Sequence, residues 1–249
     1  MVISYRHRLI FIHCRKTGGS AITLYLNQFL GPRDIQIGGV LDGIARGRWP
    51  NRKFYLDALR GLNRRHVISI ALCKRDPWTV LDAAQKASFR SVLGDKPAHP
   101  TALMIQAFDP RAWREHFKFC FVRNPYERVV SDYLWRKEQT GSDASFSRFL
   151  CLMRARDFSE RIVPRAYDNW PMYTLDDRIA VNFVGRHERL TSDLEAICSE
   201  VRLPFNKADV PVAKQSALRY DYRDFYTDGD RRVVEEIFGR EIEQFNYQY

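Results

Sequence analysis

Cysteine is scarce in this chain, and its spacing carries no signature. Five are present, Cys14, Cys73, Cys120, Cys151 and Cys198, an odd number with no C-x-x-C among them. That argues against a disulfide framework and against a thiolate zinc site, and it fits small buried residues in a reducing, cytoplasmic compartment. No stretch approaches the ~20 apolar residues of a membrane span, and Met1–Arg15, with Arg6 and Arg8, lacks the apolar run of a signal peptide. Internal repeats and low-complexity tracts are missing too. Acidic residues are the minority, 30 against 40 Lys and Arg, for a net charge of +10. This balance fits an anionic partner such as a phosphorylated cofactor, a polyanionic glycan, nucleic acid or a membrane face, or else solvated arginine on helix faces.

What is present organises around Leu9-Ile10-Phe11-Ile12-His13-Cys14-Arg15-Lys16-Thr17-Gly18-Gly19-Ser20-Ala21-Ile22. Four consecutive apolar residues predict a strand buried on both faces of a parallel sheet. Gly18 and Gly19 permit a tight turn with close backbone approach, Ser20 can cap, and Ala21, Ile22, Leu24, Tyr25 and Leu26 continue as a helix. Backbone N–H groups converging at a helix N-terminus favour an anion such as phosphate. Lys16 adds a cation, and Thr17 and Ser20 add hydroxyls. The nucleoside triphosphatase loop is a different pattern, G-x-x-x-x-G-K-[ST]; here Lys16 precedes the glycines. A plain glycine turn between strand and helix stays open at this point.

Further strands are expected at 66–72, 117–122 and 179–184. Helices are expected at 79–93, from Thr101 or Pro100 through Phe108, after Asn124, at 146–156, at 190–201 and from about Thr227 onward. Val234, Ile237, Phe238, Ile242 and Phe245 recur at the 3–4 spacing of a docked helix. Residues 157–178 and 204–220 read as loops. Strands separated by helices predict an α/β fold with a mainly parallel sheet flanked by helices. A chain of 249 residues suits a single large domain. Within it, residues 32–65 are the most basic section, crowded with Arg46, Arg48, Arg52, Lys53, Arg60, Arg64 and Arg65.

A second strand–turn–helix site follows Phe117–Val122. Asn124 fits an N-cap, Pro125 the first helical position, and Glu127 the third residue of a capping box. Arg123 would stand at the strand's carboxyl end, where open α/β sheets bind ligands. Ser131 falls on the same helix face as Asn124 and Arg128.

The order and combination of Arg15-Lys16-Thr17-Gly18-Gly19-Ser20 with Phe121-Val122-Arg123-Asn124-Pro125-Tyr126-Glu127-Arg128-Val129-Val130-Ser131 resemble the carbohydrate-type sulfotransferases. The likeness continues weakly through Phe183–Leu190 and Asp221–Tyr226. The resemblance implies a fold related to the phosphate-loop kinases and a co-substrate, 3′-phosphoadenosine 5′-phosphosulfate, with no metal. It implies that Arg15, Lys16, Thr17, Gly18, Gly19, Ser20 and Ala21 hold the 5′-phosphosulfate, that Arg123 and Ser131 hold the 3′-phosphate, and that Lys214, Gln215 and Ser216 belong to a late basic loop closing over the nucleotide. Lys16 would act on the leaving-group side, and His99, in Ala98-His99-Pro100-Thr101, would be the general base. By itself His99 reads as a loop histidine without a role. His13, His116 and His187 read as structural, Arg128 and Arg186 as ion-paired scaffold, and Trp170 and Tyr173 as packing or as sugar-stacking aromatics.

The acceptor would be a hydroxyl of a glycan or small molecule, with 32–98 as an insert that could face it. Arg15 departs from the family pattern, in which proline usually precedes the lysine; this adds charge and loosens the turn. Two other readings compete. A phosphate-loop kinase would need an acidic magnesium ligand after a buried strand. A nucleic-acid binder using Arg46–Arg65 would need basic and aromatic residues alternating on one element, which that cluster lacks.

Overall fold

The computed structural model describes residues 1–64, 68, 76–211 and 220–249. The strand expected at 66–72 therefore lies outside the described residues, Ile68 excepted, and so do Lys214, Gln215 and Ser216. The described chain divides into two compact units. The first comprises Met1–Cys14, Gly18–Phe121 and Pro171–Pro211. The second comprises Arg15–Thr17, Val122–Trp170 and Val212–Tyr249.

The first unit carries strands β1 (Val2–Ser4), β2 (Leu9–Ile12), β3 (Ile35–Gln36), β4 (Phe117–Val122) and β7 (Phe183–Arg186), in the order β3-β1-β2-β4-β7; a separate hairpin pairs β5 (Thr174–Leu175) with β6 (Arg178–Ile179). β2 has the bounds its apolar run predicts, and its residues are at most 1% exposed. It pairs parallel with β4, Leu9 opposite Phe117 and Ile12 opposite Cys120. Phe11 stacks on Phe119 with ring centroids 5.2 Å apart. Below them pack Ile22, Tyr25 and Leu26 of the helix Gly19–Asn27 and Leu194, Ile197 and Cys198 of the helix Leu190–Glu200.

The expectation of a mainly parallel sheet is corrected. β1 runs antiparallel to both β2 and β3, so the sheet is mixed. The cause is local: Tyr5–Arg8 folds the chain straight back, with Arg8 at φ 51. Ser4 and the Tyr5 N–H both donate to the buried carboxylate of Asp34, at 2.6 and 2.8 Å. The strand expected at 179–184 is also displaced. Ile179 belongs to the exposed strand β6 of the separate hairpin, and β7 starts only at Phe183. Gly185, which reads as a strand end, lies inside β7, where a Cβ would come within 2.5 Å of the Phe121 ring. The glycine is there for close packing, not for a turn.

The second unit is helical. The helix Pro125–Thr140 packs Tyr126, Val129, Val130 and Tyr133 against Phe146, Phe149 and Leu150 of the helix Phe146–Arg154 and against Val233, Val234 and Phe238 of the helix Asp228–Phe245. Asn124 caps the first of these, accepting from the Tyr126 N–H at 3.1 Å. Thr227 and Asp230 form a reciprocal capping box on the last. Arg128 and Glu241 pair inside this core, each side chain 4% exposed, with the guanidinium 4.6 Å from the Phe238 ring. Arg128 is thus scaffold, as its position suggested. Cys151 departs from the expectation for cysteines: it is exposed, whereas Cys14, Cys120 and Cys198 are buried.

His116, just before β4, is 8% exposed, and neither ring nitrogen has a hydrogen-bond partner among the described residues. Burial depresses its pKa below 6.5, with Arg8 and Lys118 acting in the same direction and Asp109 and Glu115 opposing. The unfolded chain takes up this proton near pH 6.5, and the folded chain resists it. We predict that stability is fully present above that pH and falls as the pH drops below it, by at most about 1.4 kcal/mol per pH unit from this group. Urea unfolding midpoints at pH 7.5 and 5.5 should show a smaller acid loss in His116→Phe than in the wild type. Equal losses would remove His116 from the account.

Candidate active site

The turn after β2 is built from unusual backbone. Lys16 has φ 59 and Gly18 φ 82. Left-handed geometry is open to Gly18 but costs a lysine about 1–2 kcal/mol, a strain that persists only where neighbours hold it. Gly18 is the N-cap of the helix Gly19–Asn27, and its carbonyl accepts from the Ala21 N–H at 3.0 Å. Ser20, expected as a cap, stands instead in the first turn and is exposed, while Thr17 is buried.

In the second unit, Arg123 directly follows β4 and is 5% exposed. Its Nε and Nη2 donate to the two carboxylate oxygens of Glu127 at 3.1 and 2.7 Å, and Nη1 donates to the Lys16 carbonyl at 3.4 Å. Three of the five guanidinium N–H groups are engaged in these bonds. Arg123, Glu127 and Ser131, with Trp135, Tyr220 and Tyr222, line a cavity of about 170 Å³. The Lys16 ammonium lies 5.5 Å from the centre of the Trp135 ring. Within this unit, therefore, Lys16, Arg123 and Ser131 come together. Glu127, which sequence reading assigned only to the helix cap, is the partner of the arginine.

Arg15 was expected to add charge and loosen the turn, and the structure corrects both points. Its guanidinium donates to Asp132 at 2.7 Å, the two side chains 12% and 8% exposed. Its main chain is held by Asn169: the Arg15 N–H donates to Oδ1 at 2.9 Å, and Nδ2 donates to the Arg15 carbonyl at 3.1 Å. No sequence signal pointed to Asn169, which falls in the stretch read as a loop. Trp170 and Tyr173, weighed as sugar-stacking aromatics, are 7% and 0% exposed and act as packing.

The remaining described site residues belong to the first unit. His99 Nδ1 lies 2.7 Å from the His13 carbonyl, and the two imidazoles meet edge to face with centroids 4.7 Å apart. A carbonyl only accepts, so Nδ1 carries the proton and Nε2 is the basic nitrogen. Histidines also back the glycine turn. A Cβ on Gly18 would stand 3.1 Å from the His187 ring and 2.5 Å from Leu190, and one on Gly19 would run into the His13 ring. Among the described residues, no group of three or more His, Cys, Asp or Glu is placed to hold a metal. None of the described helices is long and apolar enough to cross a membrane.

The family model described as "Sulfotransferase family" matches residues 1–248. An uncharacterised protein of Archaeoglobus fulgidus is 33% identical over 110 residues, 42% of this chain and 81% of that protein. No solved structure matches the chain.

The glycine turn yields a direct test. We predict that Gly19→Ala, whose methyl group enters the His13 ring, destabilises the protein by about 1–3 kcal/mol and lowers the melting temperature measured by calorimetry. An unchanged melting temperature would mean that the imidazole swings clear.

Proposed function

Because the chain belongs to the sulfotransferase family, we propose that this transferase moves a sulfuryl group from 3′-phosphoadenosine 5′-phosphosulfate to a hydroxyl of a carbohydrate or other small acceptor. The observation that carries the reading is the bond from Arg123 to the Lys16 carbonyl. It ties the arginine of one anion motif to the lysine of the other. A donor with anionic groups at both ends needs two such cationic points held in fixed relation. That one family model runs over 1–248 supports taking both units as a single sulfotransferase domain, related in fold to the phosphate-loop kinases.

In this reading Lys16, Thr17 and the backbone of Gly18, Gly19, Ser20 and Ala21 hold the 5′-phosphosulfate, and Arg15 contributes through its main chain because its guanidinium is taken by Asp132. Arg123 and Ser131 hold the 3′-phosphate by charge-assisted and hydroxyl hydrogen bonds. Lys214, Gln215 and Ser216 close over the nucleotide. The acceptor oxygen attacks sulfur in line as its proton passes to His99 Nε2. The bond from sulfur to the bridging oxygen breaks, and adenosine 3′,5′-bisphosphate leaves with the negative charge on its 5′-phosphate, stabilised by Lys16. The tautomer set by the His13 carbonyl supports His99 as the base.

One experiment tests donor and base together. We predict that adenosine 3′,5′-bisphosphate raises the melting temperature of both wild type and His99→Ala, while labelled sulfate transfer onto a panel of glycans, lipids and phenols is lost in the variant. A rise only with ATP–magnesium or with single-stranded DNA would reject the donor. Retained turnover in His99→Ala would reject the base.

A further inference from the structure

We propose that Asn169 is a positioning residue for the anion loop, holding the backbone from which Lys16 meets the 5′ end of the donor. The inference rests on the donor reading above and adds to it a residue outside both motifs.

Lys16, at φ 59, lies between two peptide groups, one carrying the Arg15 carbonyl and the other its own. Asn169 Nδ2 takes the first at 3.1 Å, and Arg123 Nη1 takes the second at 3.4 Å. Both peptide planes that define the Lys16 conformation are therefore held, each by a residue from a different stretch of chain. Asn169 also accepts from the Arg15 N–H at 2.9 Å, so its amide grips Arg15 on both sides as a neighbouring strand would.

The chemistry of the grip selects asparagine. One side-chain amide supplies a donor and an acceptor at once, whereas an ionised aspartate only accepts and would face the Arg15 carbonyl with negative charge. Asn169 is fully buried, so water is poorly placed to replace either bond. The next residue in the chain, Trp170, is fastened separately: its N–H donates to Asp168 at 2.9 Å. The Arg15–Asp132 pair holds the same residue through its side chain and leaves the peptide groups to Asn169. Loss of Asn169 would free the peptide ahead of Lys16 while leaving the Arg123–Glu127 pair and Ser131 untouched.

This separation defines the experiment. Wild type, Asn169→Ala, Asn169→Asp and Asp132→Asn are titrated calorimetrically with adenosine 3′,5′-bisphosphate and with adenosine 3′-monophosphate, which has no 5′ group. In both Asn169 variants the bisphosphate should weaken by at least about tenfold, and the 3′-monophosphate should stay within about twofold of wild type. Asp132→Asn should bind both nucleotides nearly as wild type does, because the amide grip remains. Asn169→Asp keeps the acceptor and serves if Asn169→Ala does not fold. Equal weakening of both nucleotides would make Asn169 merely structural and overturn the proposal, as would no weakening of either. Wild-type protein that binds neither nucleotide would overturn the donor reading, and this inference with it.

Discussion

The left-handed backbone at Lys16 is the constraint on which the candidate site depends. A lysine adopts φ 59 only if surrounding bonds offset a cost that glycine would avoid. Those bonds come from distant parts of the chain. Asn169 stands 154 positions from Arg15, and Arg123 stands 107 from Lys16. The loop is short, but its shape is a long-range property. It needs Arg123, after β4, to take the Lys16 carbonyl and the segment ahead of Trp170 to supply the amide.

Three of the chain's arginines are taken up in this framework. Arg15 pairs with Asp132, Arg128 with Glu241, and Arg123 with Glu127. The Arg128–Glu241 pair is buried and the Arg15–Asp132 pair largely so, and both hold elements together. Removing one partner from such a pair leaves a charge without compensation, typically a loss of about 3–5 kcal/mol. The third differs. Glu127 is 32% exposed, and it fixes the plane of a guanidinium that lines a cavity with Ser131. A net charge of +10 therefore says little alone. The side chain each cation faces decides whether it is scaffold or a point where an anion can bind.

The parts of the fold legible in the sequence are those governed by local chemistry. Leu9–Ile12 and Phe117–Val122 are uninterrupted apolar runs, and both are strands with the expected bounds. Asn124-Pro125 and Thr101 begin helices because their caps are contiguous in the chain. The parts that were not legible depend on pairing across the chain. Val2–Ser4 is too short to show alternation and is a strand because Phe11 and Gln36 flank Val2. Gly185 resembles a strand end until Phe121 is seen against it. Asn169 is one polar residue in an irregular stretch, and its role appears only when the Arg15 peptide groups face it. Membership of the sulfotransferase family was readable from two motifs. The bond joining those motifs was not.

In the proposed reading the two anion-binding ends share one piece of backbone. A double-mutant cycle on adenosine 3′,5′-bisphosphate binding, using Lys16→Ala, Arg123→Ala and the combined variant, measures that sharing most directly. The losses should fail to add, with a coupling of at least about 0.5 kcal/mol. Losses that sum to within about 0.3 kcal/mol would show two independent sites and contradict it.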